Sequence, residues 1–270
     1  AARGGRGLLT RASAAGRVAC MLVDFHQVFG GGGEVAELWK LSRAFVQDFK
    51  HQGVVSATSR MTAEMLAFQT GLRVPYVPCL SLHVAGSASY SPTSSKVLLF
   101  RSSLPGAPAF FRMLELLVAE MSFAPELVSM SDKGALSYAE IAQFRAVVLL
   151  PHIPNALRLA DVYAIGAPTL VPAEPLIHKY VWPHDPLPPL DELFDAGADS
   201  RADPPFSPLD FQAEEPEMTF FKFHDERRYW LQFTEWEVRP HLIRFRSARH
   251  LLHLAAISDE EASSISTAMR

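Results

Sequence analysis

The chain has 270 residues, 49% of them hydrophobic, enough to bury the core of one large or two ordinary domains, which excludes a disordered protein. A net charge of −4 with no strongly basic face argues against a nucleic-acid binder and leaves room for a local basic pocket that takes a small phosphorylated ligand. No apolar run reaches the roughly 18 to 20 residues of a membrane-spanning helix, so no membrane span is expected and the chain reads as soluble.

Residues 1–17 hold Arg3, Arg6, Arg11 and Arg17 and no acid, the composition of an organelle transit peptide, but a general Arg/Ala/Gly bias explains them better, and a disordered tail is expected. A first residue other than Met leaves two readings, a fragment or an incomplete gene model. VACMLVDF (18–25) is a buried strand by composition, and GGGG (30–33) punctuates before a helix carrying Val35, Leu38, Phe45 and Phe49. GVVSAT (53–58) is a short strand, after which Thr58 or Ser59 caps a helix with Met61, Met65 and Leu66 that stops at Gly71. VPYVP (74–78) is a further extended piece.

GSASYSPTSS (86–95) is small, polar and turn-rich, so a linker and a domain boundary are expected there, dividing 18–85 from 96–270. KVLLFRSS (96–103) restarts the pattern with a strand, Phe110, Leu114, Leu117, Val118 and Met121 recur at helical spacing, and SYAEIAQF (137–144) is a second helix. The strand AVVLL (146–150), the turn PHIPN and a helix through Arg158 and Asp161 to Gly166 follow, then GAPTLVP (166–172). Residues 183–208 mix proline with Asp and Glu, which predicts an exposed insertion. The aromatic stretch FFKFHDERRYWLQFTEW (220–236) is expected to pack under a closing amphipathic helix built on Phe245, Ala248, Leu252 and Ala255. Strands that alternate with helices imply α/β architecture with Rossmann-like parallel sheets.

In open α/β sheets ligands sit outside the carboxyl ends of the strands, where helix N-termini attract anions. The turn after AVVLL has that character: His152 and Asn155 lie in it, Asn155 is a plausible cap, Arg158 is a cation one turn into the helix, and Asp161 is three residues further on the same face. The rival for Arg158 and Asp161 is a helix-internal i,i+3 ion pair.

A strand, a Pro-containing loop, a helix with an acid followed by Tyr163 and Gly166, and then GAPTLVP together resemble the donor domain of two-Rossmann (GT-B) glycosyltransferases. GVVSATSRMTAEMLAFQTGL (53–72) is similar to the last strand and helix of the acceptor domain, and KVLLFRSS to the first donor-domain strand, so the resemblance covers roughly residues 20 to 180. It implies a GT-B fold whose N-terminal lobe is incomplete, and transfer of a sugar from a nucleotide-sugar to a hydroxyl acceptor on a glycan, lipid or protein. Arg101, Ser102, His152, Asn155 and Arg158 would meet the donor diphosphate and Asp161 the ribose, where related chains carry Glu. Arg101 has an ordinary ion pair with a neighbouring acid as its alternative.

Asp24 and His26 in VDFHQVF are the candidate catalytic pair, with His26 as a base on the acceptor hydroxyl, although a histidine beside a strand is more often structural. GGGGE lacks the Gly-Lys-Ser/Thr ending and the G-x-G-x-x-G spacing of phosphate loops and reads as a turn. No D-x-D, H-E-x-x-H, C-x-x-C or G-x-S-x-G occurs, so neither a metal nor a cofactor is expected and an α/β-hydrolase is disfavoured. Cys20 and Cys79 read as small buried side chains and leave the redox compartment open, so localisation stands between cytoplasm and a Golgi or other organelle lumen. The rival class is a non-catalytic α/β interaction protein with a degenerate nucleotide site.

Overall fold

The computed structural model describes residues 18–22, 32–49, 53–100, 107–120, 125–130, 134–151, 157–174, 176–181 and 224–269. The chain divides into two compact units, Ala1–Cys79 with Asp199–Thr234, and Leu80–Ala198 with Glu235–Arg270. The expected tail (1–17) and insertion (183–208) lie outside the described residues.

In the first unit, β1 (Val18–Leu22) pairs in parallel with β2 (Gly53–Ala57), Val18 opposite Gly53 and Leu22 opposite Ala57, with the helix α1 (Gly32–Phe49) between them in the chain. Of the two capping candidates, Ser59 caps α2 (Arg60–Thr70): its backbone is extended and its hydroxyl accepts the Thr62 N–H at 3.0 Å. At the other end Gly71 sits at φ 74, the left-handed conformation that lets its N–H close on the Ala67 carbonyl at 2.9 Å. The VPYVP piece returns beside β2 through a parallel bridge between Ala57 and Tyr76.

Val46, Val55, Met61, Met65 and Leu66 form this unit's core together with Trp230, which stands edge-on to Phe68 at 5.6 Å. Of the 220–236 aromatics, Tyr229, Trp230 and Phe233 therefore do not pack under the closing helix as the composition of the stretch suggested, while Trp236 is buried in the second unit. Trp230, on the helix His224–Leu231, fills the first unit instead. Nothing local in the sequence marks a return across so long a separation.

The second unit holds a five-stranded, wholly parallel sheet in the order β4-β3-β5-β6-β7, from β3 (Val97–Leu99), β4 (Leu127–Ser129), β5 (Ala146–Val148), β6 (Thr169–Pro172) and β7 (Ile243–Phe245). Every residue of β3, β5 and β6 is buried, and since neighbours on a strand point to opposite faces, both faces are covered. That is why these strands read as unbroken apolar runs rather than as alternations. On one face Val97, Leu99, Ala146, Val148, Leu170 and Phe245 join Phe110 and Leu114 of α4 (Ala107–Glu120) and Leu251, Leu252 and Ala255 of the helix Ala248–Ala255.

Phe245 corrects the sequence reading. It closes β7, and the helix begins after it, where Ser247 accepts the His250 N–H at 3.1 Å. Its helical spacing to Ala248 and Leu252 arises because the strand's inward residue and the helix stripe face one core.

The turn-rich stretch 86–95 is tied to the second unit, whose boundary lies upstream between Cys79 and Leu80. Tyr90 is buried, its N–H donates to the Ile165 carbonyl at 2.9 Å, and its hydroxyl donates to the Arg145 carbonyl at 2.8 Å. Burial first, and then the charge of Asp259, push the Tyr90 phenol up to about 12, against the lowering effect of Arg145.

Gly71→Ala meets no steric obstacle, since a Cβ there has nothing within 4 Å, so its whole cost is the positive φ. We expect a loss of about 1–2 kcal/mol in urea unfolding, and a smaller loss for Gly71→Asn. Tyr90→Phe should cost about 0.5–1.5 kcal/mol near neutral pH. With a raised phenol the wild-type contribution holds below a pH of about 10 and fades as pH climbs toward about 12, so the gap between wild type and Tyr90→Phe should narrow over that range in parallel denaturant titrations.

Candidate functional site

In the second unit the chain moves from β3 outward to β4 and then returns past β3 to β5. The direction of winding reverses between β3 and β5, and in open parallel sheets this switch point is where a crevice opens outside the carboxyl ends of the strands. The two strands are held together to their ends, since the Phe100 N–H donates to the Val148 carbonyl at 3.0 Å. Phe100 leads out of β3, Leu149 to Pro151 lead out of β5, and α6 (Leu157–Ile165) connects β5 to β6.

Of the residues expected at the donor site, Arg158 and Asp161 are described, both on α6. Arg101, Ser102, His152 and Asn155 lie outside the described residues, as do Asp24 and His26. Arg158 stands with its guanidinium 5.2 Å above the ring of Phe100, which is buried. A residue from the first turn of α6 is thus braced against the exit of β3, across the switch point. The pairing is a cation–π contact worth about 0.5–1 kcal/mol for a half-exposed cation, and it orients the guanidinium as well as holding it.

Asp161 is buried, and its two carboxylate oxygens have different partners. Oδ1 accepts the Ser81 hydroxyl at 2.8 Å and lies 3.7 Å from His83 Nε2. Oδ2 accepts the Tyr138 hydroxyl at 2.9 Å and lies 3.9 Å from Arg158 Nη1. The i,i+3 ion pair weighed from the sequence is therefore present, but the hydroxyls come closer. Ser81 precedes the short helix α3 (Leu82–Ala85) with a backbone φ of 45, and Tyr138 opens α5 (Tyr138–Ile141), so one carboxylate ties three elements together. Burial raises the Tyr138 phenol above its ordinary value, and donation to Asp161 and the carboxylate's charge raise it further, against the lowering influence of Arg158.

Sequence reasoning missed Ser81, His83 and Tyr138. Ser81 is 80 residues from Asp161 and Tyr138 is 23, so no periodicity links them to it. The one available signal was that a carboxylate on a helix flanked by Leu159, Ala160 and Val162 must find hydrogen-bond donors. Cys79 is half-buried, and the Cys20 side chain lies outside what is described.

Fold and site together define an α/β protein with a parallel sheet, a switch in winding between β3 and β5 and an arginine braced against the exit of β3. Searches of protein-family models, curated proteins and solved structures return no match to the chain. Among the described residues no helix is long and apolar enough to cross a membrane, and no three His, Cys, Asp or Glu side chains gather as a metal site.

Ser81→Ala and Tyr138→Phe each strip one donor from the Asp161 carboxylate. Each should cost about 1–3 kcal/mol in chemical unfolding, and the pair should depart from additivity by about 0.5 kcal/mol or more because both act on one group. Additive losses within error would mean that the two hydroxyls act independently of the shared acid.

Proposed function

We propose that the chain is a glycosyltransferase of the two-Rossmann type, moving a sugar from a nucleotide-sugar to a hydroxyl acceptor, with the donor diphosphate held at the β3/β5 switch point. The observation that carries this reading is Arg158, half-exposed and braced over Phe100 where the winding of a parallel sheet reverses. A fixed guanidinium there can bind a diphosphate with two parallel hydrogen bonds and neutralise the charge that builds on the leaving nucleotide as the sugar departs. The resemblance of GAPTLVP and of the preceding helix to donor domains supports the same reading. In this reading Arg101, Ser102, His152 and Asn155 complete the phosphate contacts, Asp161 turns to the ribose, and Asp24 and His26 serve the acceptor hydroxyl.

One observation favours a second reading, a non-catalytic α/β protein with a degenerate nucleotide site: the carboxylate meant for the ribose is buried and already accepts two hydroxyls of its own unit. Calorimetric titration of UDP and GDP separates the two. Under the first reading Arg158→Ala weakens diphosphate binding by about 1.5–3 kcal/mol with a melting temperature close to that of the wild type, and Asp161→Asn weakens nucleotide and free nucleoside alike. Under the second, both substitutions lower stability and leave nucleotide affinity where it was, which would remove the donor site.

A further inference from the structure

Asp161 meets one nitrogen base at each oxygen, Arg158 at Oδ2 and His83 at Oδ1, and the three side chains differ in exposure: 47% for Arg158, 68% for His83 and 12% for Asp161. The carboxylate lies beneath, and the two bases face solvent above it. With a neutral imidazole, Arg158 and Asp161 cancel and the group carries no net charge. A proton on His83 leaves one net positive charge, carried on two exposed side chains flanking a shared acid. The Ser81 and Tyr138 hydroxyls spread the carboxylate's charge further by donating to both of its oxygens, so the positive side faces outward. Among the described residues, the imidazole faces Asp161 on α6 and Tyr138 at the start of α5, whose ring stands edge-on to it at 6.0 Å, and Arg158 shares the Asp161 carboxylate from its other oxygen. Tyr138 donates a hydrogen bond to Asp161 and is neutral, so it adds no charge of its own.

We propose that His83 and Arg158 form a proton-dependent anion site that takes a phosphate group of the donor nucleotide; the identity of that ligand rests on the donor reading above. Arg158 supplies the permanent charge and a planar pair of donors, and His83 supplies the charge that comes and goes with pH. Binding tightens as pH falls, because only the protonated imidazole tips the cluster to a net positive charge. His83 thereby acts as a contact residue for the phosphate, brought into place by a short helix that the sequence does not connect to α6.

The test titrates UDP and inorganic pyrophosphate into the full chain by calorimetry over roughly pH 5 to 8, using wild type, His83→Gln, His83→Arg and Arg158→Ala. Comparing proteins at each pH removes the proton uptake of the ligands themselves. Wild-type affinity should rise about tenfold toward the acid end beyond that of His83→Gln, the size of one charge-assisted hydrogen bond. His83→Arg should bind tightly throughout. The side chain is mostly exposed, so both His83 variants should melt like wild type, which the same samples check. A His83→Gln protein that keeps the wild-type pH dependence overturns the site, as does failure of both ligands to bind at every pH. UDP binding that depends on Arg158 but not on His83 would leave the donor reading standing without this site. Pyrophosphate binding that follows His83, with UDP binding no tighter than pyrophosphate, would leave the site standing and remove the donor reading.

Discussion

The second unit depends on one constraint, a parallel sheet that must hide both of its faces. Val97, Leu98 and Leu99 are consecutive and all buried, and the same holds for Ala146, Val147 and Val148, so neither strand has a side left for water. Parallel neighbours cannot be joined by a tight turn, and each connection has to return the chain to the same edge. The carboxyl ends of all five strands therefore lie at one rim, and the winding reverses there between β3 and β5. The bracing of Arg158 on Phe100 follows from this geometry, because the two residues leave adjacent strands at the same end.

Asp161 adds a second, local constraint. An ionised carboxylate away from water requires donors, and α6 cannot supply them from its own apolar neighbours. Ser81 and Tyr138 do so from two other elements, which fixes where α3 and the start of α5 lie against α6. The segment after α3 is secured in the same manner by backbone groups, with Tyr90 reaching the carbonyls of Ile165 and Arg145. A stretch with the composition of a linker is thereby built into the unit.

Much of the fold was legible. Ser59 and Gly71 announced the ends of α2 because capping chemistry is local, and unbroken apolar triplets announced buried parallel strands because burial on both faces removes alternation. β7 was not legible. Three residues are too few to show a period, and Phe245 happens to fall in step with the helix that follows. At the candidate site, Arg158 and Asp161 were singled out from their place after a strand, and both stand on α6. Their partners were not, because Phe100, Ser81, His83 and Tyr138 reach α6 through the topology and not through spacing along the chain.

Trp230 has a consequence for the order of events during synthesis. The first unit's largest core side chain is encoded after nearly all of the second unit's sheet, so Met61, Met65 and Leu66 emerge from the ribosome long before the indole that covers them. Until then the early unit lacks a large part of its interior and its methionines stand open to misassociation, while β3 to β6 are already complete in sequence. The amino-terminal unit thus cannot complete its core before Trp230 is made, and the second unit waits longer still, for β7 and the helix Ala248–Ala255 that close its own core.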